Sequence, residues 1–227
     1  MSNQRRKNQK NHIHDWVKEE RKLDDGFAYY YYICKKCHEV RYPSEQLQRL
    51  FEYRKEHVFL SPREVALILL YAGESIYEKH SMRNYISGIT FFQKLVFLFY
   101  MELANEYSIP VENPGFFAYK YGPYSDDVDD IIQILLDSET IETKGGMKSS
   151  KKERFYLTDK GKEKAKKIIN KLDRRQKNAI IEFRRFWDQK KLVGLVKYVY
   201  SKYPSYTNKS VILNDLFPGR KLNRRRG

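Results

Sequence analysis

Three observations predict a mainly α-helical, mixed α+β fold. Long segments carry apolar residues at helical spacing behind clear helix-start signals. Two short strand patterns flank Gly145-Gly146 and read as a hairpin placed after several helices. Near the N-terminus, histidines and cysteines surround an aromatic strand. A chain of 227 residues, 41% hydrophobic and 15% aromatic, can bury a real core as one large domain or two small ones.

Residues 1–11 are polar and basic, and a disordered arm is expected there. Residues 12–43 read as a small zinc-ribbon-like β module. Its strand covers residues 27–33, with Tyr29, Tyr30, Tyr31 and Tyr32 in a row. Aromatics on both faces imply packing on each side or an exposed aromatic face. Residues 44–58 form a short helix, the first of the connecting helices of 44–85. Ser61-Pro62-Arg63-Glu64 starts the next one: serine caps, proline takes the first turn and glutamate closes a capping box. It is expected to run to about Tyr71 and to bend or end at Ala72-Gly73.

Gly88 precedes a mostly buried helix over residues 90–106. From Phe116 a short strand leads into a turn at Gly122-Pro123. Ser125 caps the following helix, which runs to about Asp137, and Asp126 and Asp127 suit its positive end. Residues 141–144 and 154–157 are the hairpin strands, joined through a basic loop. Thr158 caps a long helix whose apolar residues, Ala165, Ile168, Ile169, Leu172, Ala179, Ile180, Phe183 and Phe186, keep helical spacing. Another helix covers 191–202 and stops near Pro204, before a basic tail at 213–227. Helix, helix, turn, helix, hairpin is the order of a winged helix. Residues 86–212 are therefore expected to form a winged-helix-like domain with long C-terminal helices and a two-stranded basic hairpin.

The net charge of +15 is concentrated. Residues 144–177 hold fourteen Lys and Arg against four acids, a net +10, and the tail Arg220, Lys221, Arg224, Arg225 and Arg226 adds +5. Such blocks are the footprint of a polyanion partner. A mean hydropathy of −0.75 and short apolar runs argue against membrane spans. No apolar run follows Met1, so a cytoplasmic location is expected rather than secretion.

The metal signal is His12-x-His14 and Cys34-x-x-Cys37, with nineteen residues between His14 and Cys34. Two nitrogens and two sulfurs suit one closed, tetrahedral, structural Zn²⁺ ion. His38 is an alternative to either upstream histidine. Some thirty residues are too few to fold on an apolar core alone, and a metal supplies the missing stability.

For nucleic acid, the candidates are Lys144, Lys148, Lys151, Lys152 and Arg154 on the hairpin and Arg220, Lys221, Arg224, Arg225 and Arg226 on a mobile arm. These contacts position a protein without reading sequence. The helix after Ser125 opens with Asp126, Asp127, Asp129 and Asp130, whose charge opposes its entry into the major groove. The alternative is a protein-binding face of Tyr121, Tyr124, Asp126 and Asp127. Catalysis finds no support: there is no phosphate-cradling glycine loop, no His-Glu-x-x-His and no Gly-x-Ser-x-Gly, and no small-molecule substrate is evident.

Three segments resemble the YwgA-like and SocA-type antitoxin ("Panacea") proteins. They are Gln93-Lys94-Leu95-Val96-Phe97-Leu98, then Phe117-x-Tyr119-x-Tyr121-Gly122-Pro123-Tyr124-Ser125, then Tyr156-Leu157-Thr158-x-Lys160-Gly161. The segment Tyr198-Val199-Tyr200-x-Lys202-Tyr203-Pro204-x-Tyr206-Thr207-x-Lys209-Ser210 is similar to the archaeal YwgA-like C-terminus. The resemblance covers about residues 86–212. It implies a helical, winged-helix-like domain without enzymatic activity, of a kind associated with phage and toxin–antitoxin genes and with toxin neutralisation through protein contacts. The Cys/His module and the basic tail depart from that pattern and favour nucleic acid. The expectation is a non-enzymatic regulatory protein that binds nucleic acid, DNA more than RNA. A protein-binding antitoxin or adaptor, or an RNA- or ribosome-binding factor, is the alternative.

Overall fold

The structure, a computed structural model, describes residues 13–22, 26–36, 39–57, 59–80, 83–145 and 153–217. It is mixed α+β, with small antiparallel sheets among helices. The expected N-terminal arm, the hairpin loop and most of the basic tail lie outside these residues.

The N-terminal sheet has the order β1-β2-β3, from β1 (Trp16–Lys22), β2 (Ala28–Cys34) and β3 (Val40–Arg41). Its inner face rests on Tyr29 and Tyr31, each 1% exposed, which join Leu50 and Phe59 in a cluster of their own. Leu50 comes from α1 (Ser44–Glu56), the short helix expected there. Gln46 Oε1 accepts from the Tyr30 amide at 3.2 Å, satisfying a strand edge beyond the end of β3.

Helix α2 (Pro62–His80) starts at the expected capping box: the Glu64 amide donates to Ser61 Oγ, and Ser61 N donates to Glu64 Oε2. It does not stop at Gly73. A Cβ there would meet the Arg83 carbonyl oxygen at 2.8 Å, so this glycine serves close packing within the helix rather than ending it. After β4 (Ile86–Ser87), helix α3 (Ile89–Leu98) continues through a π-helical turn (Phe99–Leu103) and a last turn (Ala104–Glu106). Leu67, Ile68 and Leu69 of α2 pack with Phe92, Leu95 and Phe99 of α3 in the main core.

The segment expected as one strand with a Gly-Pro turn is a hairpin, β5 (Phe117–Tyr119) and β6 (Gly122–Tyr124), turning at Lys120-Tyr121. Gly122-Pro123 lies in the second strand. Helix α4 (Asp126–Asp137) follows, with the Val128 amide donating to Ser125 Oγ at 3.1 Å. Strands β7 (Ile141–Lys144) and β8 (Arg154–Leu157) pair as expected, and β4 joins β8, giving the order β4-β8-β7.

The long helix expected after Thr158 is two helices. α5 (Asp159–Ile169) ends, and Asp173 starts α6 (Arg174–Lys202) with a capping box to Gln176. The apolar spacing carries across this break because both helices cover the same core. Lys191, at φ 57°, interrupts α6 where the sequence places a new helix start. A 3₁₀ turn (Pro204–Tyr206) and α7 (Leu213–Leu216) complete the described chain. None of the described helices is long and apolar enough to cross a membrane.

Candidate nucleic-acid interface

The β4-β8-β7 sheet buries Ile86, Phe155, Leu157 and Ile141 in the main core. Alternation then turns Tyr85, Arg154, Tyr156 and Lys144 outward. The register sets Lys144 directly opposite Arg154. Two like charges directly opposite across a strand pair repel. Each finds partial relief nearby. Lys144 Nζ lies 2.7 Å from Glu142 and 5.1 Å from the centre of the Tyr156 ring. The Arg154 guanidinium sits 4.8 Å from the Tyr85 ring, and Arg83 reaches the same ring at 5.9 Å. Tyr85 and Tyr156 pack at 5.3 Å. The contact with Glu142 holds the Lys144 ammonium above its usual range.

Behind this face lies Arg184, fully buried, whose Nη2 donates to the Tyr85 carbonyl at 2.7 Å and which pairs with Asp188. Burial, together with Arg83, pushes its guanidinium down to about 9. Charge is thus held on both sides of the Tyr85 backbone.

Helix α5 adds a basic surface that is partly used internally. Lys160 donates to the Ser138 carbonyl and Lys164 to Thr140 Oγ1, while Lys162 pairs with Glu74. Lys166 and Lys167 make no ion pair among the described residues. Of the predicted contacts, Lys144 and Arg154 stand together at the base of the hairpin. Lys148, Lys151, Lys152, Arg220, Lys221, Arg224, Arg225 and Arg226 lie outside the described residues.

The motif residues prove mainly architectural. Gln93 exchanges two hydrogen bonds with the Ser125 backbone, at 2.9 and 3.1 Å, and buried Lys94 donates to the Pro123 carbonyl at 2.7 Å. Desolvation pushes the Lys94 ammonium down to about 7. Gly122, at φ +83°, leaves no room for a Cβ, which would meet the Tyr200 ring at 2.8 Å. Tyr124 packs against Phe117 and Tyr119. Tyr121, at 48% exposure, and the acidic first turn of α4 at Asp126 and Asp127 border this hairpin.

In the N-terminal sheet, β1 and β2 place Trp16 opposite Cys34. His14 is on the same face, stacked on Trp16 at 4.8 Å, with Nε2 3.6 Å from Glu39. Cys34 is buried at the close of β2, where its amide donates to the Glu39 carbonyl and folds the following turn back. The antiparallel register thus brings His14, just before β1, to the end of β2 that carries Cys34. His12, Cys37 and His38 lie outside the described residues. Among the described residues no group of three His, Cys, Asp or Glu side chains is placed to hold a metal.

Sequence reasoning missed two outward aromatics, Tyr85 and Trp16. Tyr85 immediately precedes a two-residue strand too short for alternation to register, and Trp16 lies in a strand whose residues, Trp-Val-Lys-Glu-Glu-Arg-Lys, are mostly charged. No protein-family model matches the chain, and no curated protein matches it.

Proposed function

We propose that this protein is a non-enzymatic, nucleic-acid-binding regulator with a winged-helix-like body and an N-terminal zinc ribbon, and that DNA is its main partner. The observation that carries the reading is the Lys144–Arg154 pair: like charges set directly opposite at the base of a hairpin that continues into Lys148, Lys151 and Lys152. A phosphate backbone would neutralise both charges and relieve their repulsion. The body supports the wing. Helices α2, α3 and α4, with a β4-β8-β7 sheet, follow a winged-helix order. The resemblance of the three motifs to SocA-type proteins implies the same winged-helix-like body. α4 would not enter the major groove, because Asp127, Asp129 and Asp130 are exposed along its start. Binding would therefore be through the backbone, with the wing and the tail as grips.

The spacing of His12, His14, Cys34 and Cys37 in the sequence supports one Zn²⁺ ion, and His14 and Cys34 lie toward the same end of the β1-β2 pair. When bound, the ion would supply stability and no catalytic chemistry.

The exposed acidic start of α4 beside Tyr121 favours a second reading, a protein-binding antitoxin or adaptor face. Titration into fluorescent duplex DNA at about 50 to 200 mM salt separates the two. For DNA binding, log K should fall steeply with log salt, and Lys144→Ala/Arg154→Ala should lower the slope by about two. Unchanged binding in that double variant, or none at the lowest salt, overturns the DNA reading. A complex with a protein partner that survives the wing variant but is lost in Tyr124→Ala/Asp127→Lys supports the second.

A further inference from the structure

The face of the β1-β2-β3 sheet turned away from Tyr29 and Tyr31 carries Trp16, Lys18, Glu20, Lys22, Tyr30, Tyr32 and Arg41. Pairing assembles them: Lys18 stands opposite Tyr32, Tyr32 opposite Arg41, and Trp16 opposite Cys34. The three rings are half-exposed, and Lys18 and Arg41 are exposed. Lys18 Nζ lies 3.9 Å from the centre of the Tyr30 ring, and the Arg41 guanidinium 4.6 Å from that of Trp16. The Tyr30 and Tyr32 rings meet edge to face at 6.0 Å. The Tyr30 hydroxyl donates to Glu45 on α1, which fixes a ring that carries Lys18 on one face.

We propose that this face is a second binding site, one that stacks the unpaired bases of single-stranded nucleic acid. Each ring offers a π-face to a base, and each cation now resting on a ring would move to a phosphate as a base takes its place. The spacing selects a single strand. Tyr30 and Tyr32 are two residues apart on a strand, about 6.7 Å. That is about twice the ~3.4 Å rise per nucleotide of a duplex strand. Neighbouring bases can meet both rings only when splayed apart, which a duplex does not permit. The face sets Lys18, Lys22 and Arg41 against Glu20, and Arg41 is paired with Glu39 at 2.9 Å, so phosphate contacts would fall mainly to Lys18 and Lys22. Only the choice of a nucleic-acid partner rests on the reading above, since the site is separate from the wing.

The test uses Trp16 as the reporter. The chain has two tryptophans, and the other, Trp187, is 4% exposed, so Trp187→Phe leaves the ribbon signal alone. Twelve-nucleotide oligo(dT) and oligo(U) should quench Trp16 saturably, and tighter binding of oligo(U) would mean that the 2′-hydroxyl is read as well. Tyr32→Ala should weaken single-strand binding roughly 5- to 100-fold and leave duplex binding unchanged. Because that variant can disturb the ribbon, Lys18→Glu at an exposed position serves as a second probe, lowering affinity and the salt slope by about one. No quenching by either oligonucleotide, or single-strand affinity that neither variant alters, overturns the proposal. Loss of duplex binding in Lys144→Ala/Arg154→Ala, with Trp16 quenching intact, separates this site from the wing. Quenching without any duplex binding refutes the wing alone.

Discussion

The β4-β8-β7 sheet, proposed as a wing, and the β1-β2-β3 sheet, proposed as a ribbon, both turn aromatic rings and cations outward, but their inner faces are built differently. The wing lays Ile86, Phe155, Leu157 and Ile141 on the main core, with Phe155 packed edge to face on Phe92 at 5.7 Å. The ribbon lays tyrosines on a small separate cluster and is fastened by their hydroxyls. Tyr29 donates to the Val111 carbonyl at 3.2 Å, Tyr31 donates to Glu19 at 2.8 Å, and Asn113 donates to Tyr31 at 3.1 Å. Arg21 donates to Tyr100 of the π-helical turn after α3 across the same seam. Apolar burial is non-directional and shared with the whole core. Hydroxyl bonds are few and directional, each contributing about 0.5–1.5 kcal/mol net. The wing should therefore stand or fall with the body, and the ribbon should come loose by itself.

The strongest way to break this comparison is to remove the proposed metal. Purified without chelator, the protein should carry about one zinc per chain, and Cys34→Ser should abolish it. Amide exchange over residues 13–41 should then become fast while the body keeps its protection. Binding free energies of ~10–16 kcal/mol for structural zinc make local unfolding the expected result. Less than half an equivalent of metal in the parent protein would remove the site and leave the tyrosine seam as the ribbon's sole support.

Phe155→Ala attacks the other side. It should cost about 3–5 kcal/mol in urea unfolding of the whole body, because the cavity opens in the shared core. A loss confined to the wing would show that this sheet, too, is an independent unit.

Titration sharpens the contrast through Lys94, which is buried in the body. Its folded-state value of about 7 lies below the 10.5 of the unfolded chain. Between those values unfolding takes up a proton, so this group makes stability rise as pH climbs from about 7 toward 10.5 and has little influence below 7. Lys94→Met should flatten that part of the profile for the body's unfolding transition. A slope that survives in Lys94→Met must come from another group.

The smallest expected effect concerns the outer face. Lys144→Ala/Arg154→Ala should leave the urea midpoint of unfolding nearly unchanged, since the relieved repulsion is offset by the lost Lys144–Glu142 pair and ring contacts. A large destabilisation would mean that the wing needs these side chains for its own structure.

Much of the body was legible because local chemistry decides it. Ser61, Ser125 and Thr158 cap the helices they were expected to cap, since a side-chain oxygen beside unpaired amides acts within a few residues. The hairpin strands at Ile141–Lys144 and Arg154–Leu157 follow from their alternation and the glycine between them, Gly145 taking φ 86°. The helix break before Asp173 was hidden by apolar spacing that continued through it, although the capping box with Gln176 was written in the residues. Gly73 was misread because a helix-breaking residue and a close-packing residue look alike in sequence.

The sequence by itself determined where helices begin, which strands form the hairpin and where positive charge collects, because each depends on neighbours along the chain. Tertiary structure alone decided that Lys144 faces Arg154, that Lys94 is buried against Pro123, and that His14 shares a face with Cys34. It also decided that Trp16, Tyr30 and Tyr32 look outward together. Those relations depend on strand register and on which face meets the core, and both are fixed by packing between residues far apart in the chain.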